Sequence, residues 1–152
     1  MKNGEALKLN RDLQDINLKG VKFSYAIARN IAILKPIIES LKKAQEPSVE
    51  FQKYDLERVV IAEKYAKKDE NGKPVIIGES YIFEDKKIFD KEVETLQKKH
   101  KKAIDERTKQ IEDFNKLLEE ESTVALNLIN IKDVPEEITS TQMIQIYQLI
   151  EN

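Results

Sequence analysis

The sequence predicts a mainly α (α+β) fold: a long antiparallel helical hairpin with a small β-hairpin at its tip and a small α/β base built from the two terminal segments. Three observations point there. Charged residues make up 36% and hydrophobic ones 40% of the chain, with four Gly and four Pro, the balance of a helix-rich or coiled-coil-like protein. Apolar residues recur at spacings of three and four along two long segments. Between those segments, Lys68 to Lys86 carries a turn cluster and two short runs of strand formers.

With 152 residues the chain has the size of one ordinary domain, so 1–152 is read as a single domain with its own core. Lys and Arg number 26 against 28 Asp and Glu, giving a formal charge of −2 with the signs interspersed. Such a chain has no long-range field to gather a polyanion, which disfavours nucleic acid as the main partner. There is no Cys, so disulfides, thiolate metal sites and cysteine nucleophiles are excluded and a reducing compartment is favoured. The residues after Met1 lack the apolar core of a secretory signal, and no window approaches the ~18 apolar residues of a membrane span. A cytoplasmic protein without a membrane anchor is expected.

Residues 1–22 form the first part of the base. Leu7 and Leu9 alternate with Ala6 and Lys8 as in a short strand, Asn10 can cap a helical turn through Leu13 and Ile16, and Gly20 ends the segment. The first helical arm is read over 24–68, with Ser24 as its N-cap. Ile27, Ile31, Leu34, Ile38 and Leu41 make one apolar stripe, and Phe51, Tyr54, Ile61 and Tyr65 a second, with Leu56 and Val60 alongside. Pro36 and Pro47 each kink or break this arm, because proline removes a backbone donor and clashes with the preceding turn.

Asp69-Glu70-Asn71-Gly72 then reads as a turn, and Val75 to Phe83 as a β-hairpin tip reversing at Gly78-Glu79-Ser80. The second arm, 85–121, starts at an Asp85 cap. It carries Phe89, Val93, Leu96, Ala103, Ile104, Ile111 and Phe114, with no Gly or Pro to interrupt it.

If the two arms fold back antiparallel, contacting residues have numbers summing to about 154. That register opposes Tyr65 to Phe89, Ile61 to Val93, Tyr54 to His100, Phe51 to Ala103 or Ile104, and Leu41 to Phe114. The hairpin seam is therefore Phe51, Tyr54, Ile61, Tyr65, Phe89, Val93, Leu96, His100 and Ile104. Residues 122–152 complete the base: Val124, Leu126 and Leu128 alternate as a strand able to pair with Leu7–Leu9. A last helix, capped by Thr139 or Ser140, presents Met143, Ile144, Tyr147 and Ile150 on one face.

Chemistry-bearing patterns are sparse. Asp69 to Gly72 clusters oxygen donors before a glycine but is too short for a calcium loop of EF-hand type. Lys98 to Lys102 is basic, yet five consecutive helical residues point all round the axis and acids flank them, as on a solvated surface. His100, the one histidine, marks a polar layer in the seam; without Cys it builds no conventional zinc site, and no serine is placed to form a triad with it. No catalytic residue, cofactor or metal ligand is assigned, and no enzymatic activity is expected. Val75, Ile76, Ile77, Tyr81, Ile82 and Phe83 are too many apolar side chains for one face of a small free hairpin, which makes the tip the candidate interaction surface, with Val75, Ile77, Tyr81, Ile82 and Phe83 as its residues.

Three stretches carry a resemblance: Val21-Lys22-Phe23-Ser24-Tyr25-Ala26-Ile27-Ala28-Arg29-Asn30, Lys64-Tyr65-Ala66-Lys67-Lys68-Asp69-Glu70-Asn71-Gly72-Lys73-Pro74-Val75-Ile76, and Ile131-Lys132-Asp133-Val134-Pro135-Glu136-Glu137-Ile138-Thr139. In these the chain resembles a family of small, largely uncharacterised bacteriophage proteins. The resemblance implies a viral protein acting in the host cytoplasm or on the virion, and supplies no catalytic residues. A weaker architectural similarity is to prefoldin subunits, antiparallel helical hairpins with β-hairpins at the turned end. The expected function is a non-enzymatic, phage-derived interaction or structural protein that assembles with itself or a protein partner through its apolar stripes and β-tip. The alternatives are a phage-encoded inhibitor of a host defence or nuclease protein, and a prefoldin-like chaperone.

Overall fold

The structure, a computed structural model, describes residues 1–151 and is mainly helical with one small antiparallel sheet. In chain order the elements are α1 (Asn3–Gln14), α2 (Val21–Gln45), α3 (Val49–Tyr65), β1 (Ile76–Ile77), β2 (Ser80–Tyr81), α4 (Lys86–Lys99), α5 (Lys101–Glu119) and α6 (Ser140–Ile146), with 3-10 turns at Ile131–Asp133 and Tyr147–Leu149. They fall into two compact units. The terminal unit joins residues 1–45 to those from 113 onward, and the inserted unit is 46–112.

In the terminal unit α1 is helical throughout, including the Leu7–Leu9 segment expected to be a strand. Two alternating residues are too few to distinguish the periods. Asn3, Ala6, Leu9 and Leu13 are the buried positions, and their spacing of three and four is that of a helix face. Helix α2 begins at Val21, so Ser24 lies in its first turn and not at its N-cap; the Ser24 amide donates to Gly20 O (2.8 Å) and its hydroxyl to Leu18 O (3.2 Å). Pro36 sits inside α2 without ending it. The carbonyl that loses its partner belongs to Ala32, and both residues are on the exposed side of the helix, where solvent access reduces a cost of ~3 kcal/mol.

The core of this unit packs Ala6, Leu9 and Leu13 of α1 against Phe23, Ala26, Ile27, Leu34 and Ile38 of α2, closed by Ile129, Ile146 and Leu149. With α1 a helix, the segment after Ser122 has no strand there to join, and among the described residues it pairs beyond Ser122 through an isolated parallel bridge of Ile129 with Ile150. Its period of two is that of an extended chain laid over helices, with Ile129 buried and Leu128 exposed. Two polar anchors hold it. The Asn30 side chain, 0% exposed, donates to Asn127 O (2.8 Å) and accepts from Asn127 N–H (2.7 Å). Further on, Ile129 N–H donates to Leu149 O (2.7 Å) and Glu151 N–H to Ile129 O (2.9 Å). Buried Asn3 closes the end of α5: its side chain donates to Leu117 O (2.8 Å), its backbone N–H to Glu120 O (2.9 Å), and it accepts from the Ser122 hydroxyl. These bonds satisfy carbonyls that a helix end leaves without partners.

The last helix departs from its expected face. Thr139 caps α6 by accepting from Gln142 N–H (3.2 Å), but Ile146 and Leu149 are buried while Ile144 and Tyr147 are exposed. After Ile146 the chain tightens into a 3-10 turn, and of the expected face Met143 and Ile150 pack against the core.

In the inserted unit the first arm breaks at Pro47. Proline disfavours helical backbone at Glu46, and Ser48 restarts the chain as the N-cap of α3, accepting from Phe51 N–H (3.2 Å). Helices α3 and α4 pack together as the two legs of a hairpin. The second arm, expected unbroken over 85–121, runs as α4 and α5 with a single non-helical residue, His100 (φ −105°, ψ 18°), between them. The ladder continues on both sides, from His100 N–H to Leu96 O (3.0 Å) and from Ile104 N–H to His100 O (3.1 Å). At the turned end β1 and β2 pair with Ile76 opposite Tyr81 and Ile77 opposite Ser80. Gly78, with φ +62°, fills the position of this two-residue turn that side-chain-bearing residues rarely adopt.

The Asn30 anchor generates a stability prediction. Replacing Asn30 by Ala leaves the half-buried Asn127 N–H and C=O without this partner, and urea unfolding is expected to show a loss of about 1–3 kcal/mol. A change below about 0.5 kcal/mol would show that this clasp contributes nothing net.

Candidate interaction surfaces

The seam and the tip both lie in the inserted unit. Tyr54 and Leu96 are buried, and Phe51, Ile61, Tyr65, Phe89, Val93, His100 and Ile104 are half-buried. The Tyr54 and His100 rings are 5.8 Å apart, Arg107 lies 5.8 Å from the Phe51 ring, and Gln110 Nε2 donates to Glu46 O at 2.9 Å. Each pair joins the α3 side to the α4–α5 side in antiparallel order. The seam residues are thus consumed inside the hairpin.

One polar layer crosses the seam. Glu57 Oε2 accepts from Lys99 Nζ (2.8 Å) and lies 3.3 Å from His100 Nε2, beside the Tyr54 ring. Hydrogen bonding to Lys99, and then to His100, holds the Glu57 carboxyl below its usual range. Lys98 meets Glu94 at 2.7 Å and Lys102 meets Glu106 at 3.8 Å, so three lysines of the basic run have acidic partners within the chain.

At the tip, the chain after α3 closes on the β-hairpin. Lys67 N–H donates to Ile82 O (2.7 Å), Val75 N–H to Lys67 O (2.8 Å) and Ile82 N–H to Val75 O (3.0 Å). Asp69 Oδ1 accepts from the backbone N–H of Asn71 and of Lys73, both at 2.8 Å, which is the bonding of a turn-forming carboxylate. Val75, Tyr81, Ile82 and Phe83 are half-buried, and Phe83 stacks on Phe89 with ring centroids 4.2 Å apart. Ile77 is 69% exposed, and its neighbour Ile76, part of the same apolar surplus, is 54% exposed. An open groove of about 560 Å³ lies between the hairpin and the helices, lined by Arg58, Ala62, Tyr81, Phe83, Lys86 and Phe89.

Another apolar surface was not singled out from sequence as a site. Val49, Leu56 and Val60 on α3 are 76%, 69% and 63% exposed. Their spacing of seven and four was legible, but the stronger Phe51-Tyr54-Ile61-Tyr65 stripe claimed the helix. Among the described residues no group of three or more His, Cys, Asp or Glu is placed to hold a metal ion, and no helix is long and apolar enough to cross a membrane.

Together the fold and these surfaces describe two units, a helical hairpin with a small β-tip and a helical terminal unit. Comparison with protein-family models, with curated proteins and with solved structures finds no match to this chain.

The Glu57 layer generates a pH prediction. Its folded carboxyl titrates below the unfolded value, so its stabilising contribution is complete above the ordinary Glu value of about 4.3 and is lost as pH falls through the depressed one. Replacing Glu57 by Gln is expected to lower the urea midpoint at pH 6 and to make progressively less difference below about pH 4. A gap between the two proteins that stays constant from pH 6 to pH 3 would contradict this assignment.

Proposed function

We propose that the protein is a non-enzymatic interaction or structural protein, of phage origin, that assembles with a protein partner or with itself through its β-tip. The observation that carries the reading is the exposure of Ile76 and Ile77 on a two-stranded sheet at the turned end of the hairpin. Neither is needed inside: the tip is already closed by Phe83 on Phe89 and by the bonds among Lys67, Val75 and Ile82. An apolar pair held out on a turn has more to gain from a partner than from solvent, about 1.5–3 kcal/mol for each side chain fully buried. Phage origin rests on the resemblance at Val21–Asn30, Lys64–Ile76 and Ile131–Thr139, and it places the protein in the host cytoplasm or on the virion. A host-directed inhibitor would use the same tip, and the identity of the captured protein separates the two roles.

The test is affinity capture with the full chain from phage-infected and uninfected host cells, together with light-scattering mass, for wild type and for Ile76→Ser/Ile77→Ser. Wild type is expected to capture a defined protein or to self-associate, and the variant to bind at least about tenfold more weakly with unchanged circular dichroism. Equal capture and equal mass for the two proteins would overturn the tip as the assembly surface. A phage structural protein as the captured partner supports the structural role; a host enzyme losing activity supports the inhibitor.

A further inference from the structure

Two asparagines of the chain are followed by glycine, in Asn3-Gly4 and Asn71-Gly72. Such a pair is chemically labile wherever the backbone can move, because glycine has no side chain to keep its amide nitrogen from the asparagine side-chain carbonyl. The structure treats the two pairs in opposite ways. We propose that Asn71 is a site of spontaneous modification, losing ammonia to become isoaspartate and aspartate, and that Asn3 is protected from it. The inference concerns the turn before the tip and goes beyond the assembly reading above.

The reaction is intramolecular and needs only water as co-reactant. The Gly72 backbone nitrogen gives up its proton to solvent base and attacks Cγ of Asn71, forming a new N–C bond. The Cγ–Nδ2 bond breaks, and the side-chain nitrogen leaves as ammonia. Water then opens the five-membered imide at one of its two carbonyls. Opening at Cγ restores the ordinary chain and leaves aspartate; opening at the main-chain carbonyl leaves the chain running through the side chain, as isoaspartate.

Asn71 meets the conditions for this step. Residues 67–73 are all exposed, so opening the turn uncovers no core. Among the described residues the Asn71 side-chain amide has no hydrogen-bond partner; its bond to Asp69 Oδ1 is made by the backbone N–H. The attacking nitrogen is held by a single bond, Gly72 N–H to Asp69 O at 3.0 Å, and a Cβ added at Gly72 would meet nothing within 4 Å. Asn3 is held on every side. It is 7% exposed, its Nδ2 donates to Leu117 O (2.8 Å), its Oδ1 accepts from the Ser122 hydroxyl, and its backbone N–H donates to Glu120 O (2.9 Å). Asn3 and Gly4 also open α1, and a Cβ added at Gly4 would stand 3.4 Å from Leu118 O. Ring closure there requires the first turn of α1 to unwind and leave the end of α5.

The products change the turn. Isoaspartate inserts one carbon into the main chain between two N–H groups, of residues 71 and 72, that both bond to Asp69. Either product sets a new carboxylate beside Asp69 and Glu70, where like charges repel.

Peptide mapping by mass spectrometry tests this on the full chain, aged in neutral and in mildly alkaline buffer, folded and in guanidinium. In the folded protein Asn71 is expected to convert at least about tenfold faster than Asn3, to both isoaspartate and aspartate, and faster in the alkaline buffer. In guanidinium the two sites are expected to react within about threefold of each other, since both then lie in an open chain. Asn71→Gln, at an exposed position, is expected to keep its circular dichroism and to show no conversion at that residue over the same interval. A folded Asn71 that stays intact while both sites react in guanidinium overturns the proposal, because the Asp69 bonds would then protect the turn. Equal conversion of Asn3 and Asn71 in the folded protein, or aspartate at Asn71 without isoaspartate, overturns it as well.

Discussion

The closure of the terminal unit depends on one side-chain amide. Asn30 is fully buried on α2 and meets the backbone N–H and C=O of Asn127 at once, as a neighbouring strand would. The residues it joins lie far apart in sequence, on either side of the inserted unit. Apolar burial alone would draw Val124, Leu126 and Ile129 onto the helices without specifying which residue of an extended chain sits where. Two directional hydrogen bonds specify it, because a slip of one residue would leave the amide buried and unpaired. From that fixed point the following bonds at Ile129 take the last turn of chain into the core with Ile146 and Leu149. Asn3 acts similarly at the end of α5, bonding the carbonyls of Leu117 and Glu120 to α1.

The inserted unit is organised by punctuation. Pro47 and Ser48 stop one helix and start another, Gly78 permits a two-residue reversal, and Asp85 starts α4 by accepting from Lys87 N–H at 2.9 Å. Between these marks the Glu57–Lys99–His100 layer gives an otherwise apolar seam a polar reference point. A slip of the hairpin by one turn would separate those partners. The irregular backbone at His100 coincides with this layer, between two stretches of intact helix ladder. Once the seam and tip close, the surplus apolar residues of α3 and β1 remain outside.

Much of this was legible in the sequence, and the losses have physical causes. The helical periods of the long segments, the antiparallel register, the reversal at Gly78 and the caps at Asp85 and Thr139 all follow from local chemistry: spacing, turn propensity and side chains that bond nearby backbone. The strand expected at Leu7–Leu9 failed because two alternating residues cannot outweigh a helix face that begins at Asn3. The strand expected after Ser122 failed with it, since an extended segment becomes a strand only when a partner edge exists. Ile144 and Tyr147 share one face of an ideal helix with Met143 and Ile150, but Ile146 takes the core position within α6 and the chain leaves the α period in the 3-10 turn that follows.

The sequence by itself determined where helices can start and stop, which faces are apolar, and that the chain reverses near Ile77, because these properties arise among residues a few positions apart. Tertiary structure decided which of two apolar faces on α3 goes inward, that Pro36 is tolerated on the exposed side of its helix, and that Asn30 finds Asn127. Those outcomes depend on what stands opposite each residue in space. No local preference distinguishes an apolar stripe that will be covered from one that will not.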